Sequence, residues 1–251
     1  MSVVFAPARP VPAVDARVAP VPDAATLRWT GAALIGTALV LLTLFQLTDL
    51  DLRLADAAWD AATRRFPVKS TWFAATFLHS WVKLVLVAAG ALTVAAALVD
   101  LVRPWRRLHA VGRWRLRLSA AGVVLVPLVI GSWKARSALH CPWDVDRYGG
   151  ASHYLRLLDA VPPGWSNGAC FPAGHASSAL WLAALCVWWL PQSPRKAAAV
   201  FAGGLAAGFG LGWVQQLRGA HFLSHTLWSV WTACAVLWAL YALLRWRLGP
   251  R

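Results

Sequence analysis

Residues 80–107 read SWVKLVLVAAGALTVAAALVDLVRPWRR. Some twenty apolar residues with few charges, enough to cross a hydrocarbon core about 30 Å thick, run directly into Arg103, Arg106 and Arg107. Arg113, Arg115 and Arg117 carry the basic cluster on to the next apolar stretch. A short arginine-rich segment between two spans stays on the cytoplasmic side, so this stretch fixes both the class of fold and its orientation.

Working outward, six apolar segments satisfy the same test, at about 27–47, 80–102, 118–136, 174–190, 197–217 and 225–245. Arg195 and Lys196, and then Arg245, Arg247 and Arg251, fall on the same side as the first basic cluster. Both termini are therefore expected to be cytoplasmic, with outward loops at about 48–79, 137–173 and 218–224. The expected fold is all-α: a polytopic membrane protein of six transmembrane helices with an interfacial helix on its outer face.

Composition agrees. Hydrophobic residues make up 59% of the 251 and charged residues 14%, against roughly 45–50% apolar in soluble domains. The formal net charge of +14 would suit nucleic acid. Here the basic residues sit beside apolar spans, and no nucleic-acid partner is expected. Residues 1–26, where Pro recurs too often for a helix or a cleavable signal, read as a disordered cytoplasmic tail ahead of a membrane domain at 27–251. Trp29, Trp81, Trp105, Trp133, Trp213 and Trp246 fall near span ends, as interfacial anchors do. The helical rhythm of Leu52, Ala55, Ala58, Trp59 and Ala62, closed by Pro67, predicts the interfacial helix. The second outer loop, rich in Pro and Gly, predicts turns around one short helix near Tyr154–Leu158.

Polar residues at span ends carry the chemistry. Six of the seven His (His79, His140, His153, His175, His221 and His225) fall on the outer side, and only His109 lies inside. Lys134 ends the third span, His175 begins the fourth, and Arg218 and His221 end the fifth. A lone Lys or Arg at such a place is ordinarily a snorkelling anchor. Three helices delivering cations and imidazoles to one depth point instead to an anionic ligand.

Three segments have the spacing of a known pattern: Lys134-Ala-Arg-Ser-Ala-Leu-His-Cys141-Pro142, Pro172-Ala173-Gly174-His175, and Arg218-Gly-Ala-His221-Phe-Leu-Ser-His225. They resemble the three motifs of the type 2 phosphatidic acid phosphatase superfamily: Lys, six residues, Arg-Pro; then Pro-Ser-Gly-His; then Ser-Arg, five residues, His, three residues, Asp. The resemblance implies that His221 is a nucleophile forming a phosphohistidine, that His175 protonates the leaving oxygen, and that Lys134 holds phosphate oxygens. Gly174, at a helix start, would let the phosphate approach backbone N–H groups. No metal or other cofactor is implied.

The chain departs from that pattern at Cys141 for Arg, Ala173 for Ser, Val214 and Gln215 for Ser-Arg, and His225 for Asp. Arg218 is the expected stand-in for one missing arginine, with Arg136 or Arg147 reaching in from the second outer loop, and Gln215 lies beside the phosphate. His225 is expected to accept a hydrogen bond from His221 in place of the Asp. An alternative use of His221 and His225, four apart, is a shared Zn²⁺ completed by Asp144, Asp146 or another His. Cys141 and Cys170, each beside a motif on the outer face, are placed for a disulfide across the base of the second outer loop, with two free thiols as the alternative. Cys186 and Cys234 read as packing residues within spans.

The expected function is a lipid phosphatase of a bacterial inner membrane. It would act at the outer, periplasmic face on a phosphate monoester or pyrophosphate of a lipid, its partners being that lipid and the bilayer. Two other readings stay open. A lipid-to-lipid phosphotransferase would release no inorganic phosphate without an acceptor, and a non-catalytic binder or transporter would be indifferent to His221→Ala.

Overall fold

The first long helix, α1 (Ala24–Leu47), starts where the Asp23 side chain accepts the Thr26 N–H at 2.7 Å. The computed structural model describes residues 20–247. Most of the expected tail thus lies outside the described residues, while Ala24, Ala25 and Thr26 belong to the helix because Asp23 caps it.

Among the described residues six more helices longer than one 3-10 turn succeed it: α2 (Leu50–Asp56), α3 (Trp72–Val102), α4 (Ala110–Ala135), α5 (Ser177–Trp188), α6 (Pro194–Leu217) and α7 (Leu223–Arg247). Among the described residues there is no strand, only two isolated bridges. Helices α1, α3, α4, α6 and α7 are long and apolar enough to cross a bilayer, the mark of a multi-pass membrane protein. The segment expected as a fourth full span is the shorter α5. It makes one α-turn over Ser177–Leu180 and then continues as a 3-10 helix over Trp181–Trp188. Its twelve residues reach about 22 Å by the rises of the two helix types.

Helix α5 is the centre of the molecule. Ala179, Leu180, Ala183, Ala184 and Val187 are buried, packed with Val126 and Ile130 of α4 and Ala233 and Leu237 of α7. Helix α6 approaches it through a row of glycines. A Cβ on Gly204 would meet the Ala183 nitrogen at 2.3 Å, one on Gly208 Leu180 at 2.4 Å, and one on Gly212 Thr226 of α7 at 2.3 Å. In lipid, where tails compete for apolar surface, close approach of this kind is what holds helices together. Helix α1 lies outermost and is tied to α7 by Trp231 and Trp238, whose indoles donate to the Leu34 and Leu27 carbonyls at 2.9 and 2.8 Å.

At the end of the bundle opposite the arginine cluster, Ala55, Phe66, Val145 and Tyr148 of the two long loops form a second small core with Phe222 of the α6–α7 turn. The helix expected at the interface is α2, much shorter than its apolar rhythm predicts, ending at Asp56. Asp60 accounts for this: its carboxylate takes the Ala62 and Thr63 N–H groups and the Thr63 hydroxyl, offering the backbone a turn in place of a helix. The helix expected at Tyr154–Leu158 is absent for a related reason. The Arg156 N–H donates to Asp159 and the Leu158 N–H to Gln46, so side chains take the bonds a helix would use. The loop instead has 3-10 turns at Pro142–Asp144 and Asp146–Tyr148.

At the other end, Asp100 is buried beside Arg113 and Arg117 at 3.5 and 3.4 Å, and Arg115 donates to the Leu190 carbonyl at 2.7 Å. Half of that arginine cluster therefore also ties α3, α4 and the α5–α6 turn together.

Candidate active site

Lys134 sits in the last turn of α4 and turns its ammonium to the carbonyl of Ala169, in the loop that precedes α5. Ala169 has φ 44°, a left-handed backbone costly to a residue with a Cβ. The loop is held in that shape from two sides. On α4's side, Ala169 and Cys170 donate to the Ser137 and Leu139 carbonyls at 2.8 and 3.1 Å. On α7's side, Ala173 donates to the His225 carbonyl at 3.0 Å, and the Ser229 hydroxyl donates to the Ala173 carbonyl at 3.0 Å. A disulfide joins Cys141 to Cys170 across the base of the second outer loop. Gly174 has a local reason to be glycine: a Cβ there would lie 3.0 Å from Cδ of Lys134. The missing side chain leaves room for the lysine stem. The Ser177 and Ser178 N–H groups close turns onto Gly174 and His175, so these two donors are not free for an anion.

His221 lies in the turn between α6 and α7, buried, with Nδ1 3.4 Å from the Cys170 sulfur. An oxidised sulfur carries no hydrogen, so a hydrogen bond here must run from an Nδ1–H to sulfur. That tautomer leaves the Nε2 lone pair free, the atom a nucleophilic imidazole needs. Burial, and then the nearby His225, Lys134 and His175, hold the His221 imidazolium well below its ordinary pKa, which keeps the ring neutral. His225, 1% exposed, is in the first turn of α7. Its ring meets that of His221 edge to face at 5.7 Å, and its Nδ1 has no hydrogen-bond partner. The expected hydrogen bond between them is replaced by this ring contact, because His221 precedes the helix and does not share its geometry.

His175, at the end of the loop just before α5, is buried, and its Nε2 also lacks a partner. Burial, followed by His79, Lys83 and Arg218, pushes its pKa down to about 4. His79 is the residue that sequence reasoning passed over. Its ring lies parallel on that of His175, 4.3 Å between centroids and 12° between planes. It is delivered by a π-helical stretch, Trp72–Val82, that opens α3. A π-helix inside a span is often a functional feature, and no hydropathy pattern reveals one. Its one visible signal was an outer-side histidine beside an apolar span.

Arg218 stands at the end of α6, with Nε donating to the Lys69 carbonyl at 3.1 Å and Nη1 to the Gln215 side chain at 2.8 Å. Gln215 is buried and orients the guanidinium, and its amide nitrogen has no partner. Lys134, His175, His221, His225, Gly174, Gln215 and Arg218 therefore converge at one end of the bundle.

Arg136 and Arg147 do not join them. Arg136 is exposed and donates to Ser132 of its own helix at 3.2 Å. Arg147 forms a two-bond pair with Asp56 at 2.7 and 2.8 Å. Asp146 pairs with His153, and Asp144 accepts from the Trp143 indole. Neither carboxylate is drawn to His221. Among the described residues, the one group with metal-ligand proximity is Cys141, Cys170 and His221, and its two sulfurs are bonded to each other.

No curated protein and no solved structure matches the chain. A family model does, that of the PAP2 superfamily, over residues 82–248, a range that runs from the end of the π-helical stretch of α3 through the end of α7. The chain therefore belongs to the PAP2 superfamily, whose members are generally phosphatases.

Proposed function

We propose that this protein is a membrane-embedded lipid phosphatase that works through a phosphohistidine at His221, on the outer face of a bacterial inner membrane. The observation that carries the reading is the setting of His221, a buried neutral imidazole whose Nδ1 faces the Cys170 sulfur, with Lys134 and His175 as neighbours. The Nε2 lone pair attacks phosphorus, an N–P bond forms, and the bond to the leaving oxygen breaks. Lys134 and Arg218 hold the phosphoryl oxygens as charge moves among them. His175 serves the leaving oxygen as proton donor. Water then attacks phosphorus and gives its proton to His175, and His221 departs as imidazole.

A His175 held near pH 4 is a poor acid at neutral pH until substrate arrives. One unit of phosphate charge at about 4 Å contributes on the order of 4 kcal/mol at an effective dielectric of 20, or about three pKa units. The substrate thus brings the charge that protonates its own acid. The arginine-rich end of the bundle supports a cytoplasmic placement for that end and for both termini, leaving the site on the outer side. A site at the ends of spans suits a lipid better than a free sugar phosphate.

The test is phosphate release by purified protein from a panel of lipid phosphates and diphosphates, with His221→Ala and His175→Ala beside the parent. Loss of about a thousandfold or more in the His221 variant is expected. Turnover equal to the parent's in His221→Ala would refute the mechanism and leave a lipid-phosphate binder. Transfer of phosphate to a second lipid with no release to water would identify a phosphotransferase.

A further inference from the structure

We propose that His79 is a positioning residue of the reaction: its ring holds the plane of the His175 ring and so aims Nε2 of His175 at the leaving oxygen. This rests on the phosphatase reading above. It adds to the site a residue that lies ahead of the range 82–248 matched by the family model.

The main chain of His175 is fixed and its ring is not. The Ser178 N–H and hydroxyl both donate to the His175 carbonyl, at 3.2 and 2.7 Å. Neither bond restrains rotation about Cβ–Cγ, a torsion with broad minima, and Nε2 has no partner to stop it. The backbone of Leu78 bonds the ring at one edge, and a single hydrogen bond leaves the ring free to hinge about it. The stack removes that freedom. With 4.3 Å between centroids and 12° between planes, a large rotation would drive the edge of His175 into the face of His79. An acid must come within roughly 2.6–3.2 Å of the oxygen it serves, so the plane of its ring matters to the rate.

A stacked ring can position its neighbour only if its own backbone is held. The π-helical stretch Trp72–Val82 is braced by its other side chains. Trp72 stacks on Phe77, five residues on, at 5.7 Å and 19°, and Phe73 stacks on the same ring at 5.7 Å and 24°. Trp81 meets Trp72 edge to face at 5.8 Å. The Ser80 hydroxyl donates to the Ala75 carbonyl, again five residues away, at 3.3 Å. Five is the spacing of the π-helical hydrogen bond, so these contacts support the register that presents His79 to His175. Trp72, Phe73 and Trp81 are exposed, which places the brace outside the site.

The step that His79 serves is the first. His221 Nε2 bonds to phosphorus, the bond from phosphorus to the alkoxy oxygen breaks, and its electron pair stays on that oxygen. The proton on His175 Nε2 passes to the same oxygen, and the lipid leaves as an alcohol. A leaving group that is stable as an anion needs no such proton, and a misaligned His175 costs it little.

The experiment measures kcat/KM, which covers events up to departure of the leaving group, for the full chain in detergent. The substrates are short-chain phosphatidic acid, which leaves as an alkoxide unless protonated, and 4-nitrophenyl phosphate, which leaves as a stable anion. His79→Gln and His79→Leu remove the ring, and His79→Phe retains one. In the first two, kcat/KM for phosphatidic acid is expected to fall on the order of a hundredfold, and that for 4-nitrophenyl phosphate by under about fivefold. His79→Phe should return phosphatidic acid hydrolysis to within about fivefold of the parent. The ring protons of His175, assigned by their loss in His175→Gln, should show the upfield magnetic resonance shift of a stacked ring in the parent and in His79→Phe, and lose it in His79→Gln. Loss of both substrates in the same proportion would overturn the proposal. So would a His79→Phe variant as poor as His79→Gln, which would show that His79 acts through its buried, unpartnered Nδ1. If His221→Ala abolishes turnover while His79→Gln matches the parent on both substrates, the phosphatase reading stands and the role of His79 falls. If the parent hydrolyses neither compound and no lipid of the wider panel, both fall together.

Discussion

Replacing Asp51 by Asn should make the protein more stable at neutral pH, although Asp51 caps a helix. The carboxylate is 3% exposed and accepts the Ser224 N–H at 2.9 Å in the first turn of α7. Burial outweighs this bond and others from Ser224 and Tyr154, and raises its pKa from 3.8 to about 6. A carboxyl whose folded pKa lies above its unfolded one favours folding when protonated. That contribution is present in full below about pH 4 and is lost as pH rises through about 6. The shift of about two units corresponds to about 3 kcal/mol. Asn keeps an oxygen to accept from Ser224 and carries no charge to desolvate, so the variant should lose this pH dependence. The assay is thermal unfolding of parent and Asp51→Asn in one detergent at pH 4 and pH 8. The difference between the two proteins should change by about 6–12 °C across that range, with the variant favoured at pH 8. Unfolding curves that move in parallel with pH would show that Asp51 ionises in the folded protein as freely as in the unfolded chain.

The site itself gives further expected outcomes. Cys141→Ser opens a loop with a sequence separation of 29, which should cost about 3.6 kcal/mol of stability by loop entropy. It should also slow turnover, because the Cys170 sulfur would no longer be fixed against His221; a melting temperature unchanged by the substitution or by reductant would count against both effects. Gly174→Ala sets a methyl 3.0 Å from the Lys134 stem, and the displaced ammonium should lower kcat/KM by about tenfold or more. Normal kinetics in that variant would show that the stem moves aside freely. Phosphate binding at pH 7 should draw a proton onto His175, seen as binding heats that vary with the ionisation enthalpy of the buffer; His175→Gln should abolish that dependence, and equal dependence in both proteins would place the proton elsewhere.

Hydropathy and the arginine clusters made the long helices legible, because twenty apolar residues in a row have few other uses. They could not give the length of α5. Its apolar run is full-length in sequence, but turns at Gly174 and His175 and the switch to 3-10 geometry are settled by packing against α4, α6 and α7. The same limit applies to the helix expected at the interface, where the Asp60 carboxylate overrides a helical rhythm. In the site, Lys134, His175, Arg218 and His221 were readable because each marks a span end. Arg136 was misjudged because spacing along a chain says nothing of direction: its guanidinium turns back on α4. His79 was missed because its position depends on a hydrogen-bond pattern that leaves no trace in hydropathy.

That hydrogen-bond pattern ties the site to the number of residues in a span. An α-helix closes each bond over four residues and a π-helix over five, so the stretch Trp72–Val82 holds more residues per turn than its neighbour Lys83–Val102. Removing one residue there would let the stretch relax to α geometry and rotate everything ahead of the deletion by about 100° relative to the remainder of α3. The span would remain as apolar and nearly as long, and every histidine, lysine and arginine of the site would still be present. For this protein, an in-frame deletion of one codon in a greasy segment would therefore move the ring that stacks on His175, and a survey that scores only substitutions at polar residues would pass over it.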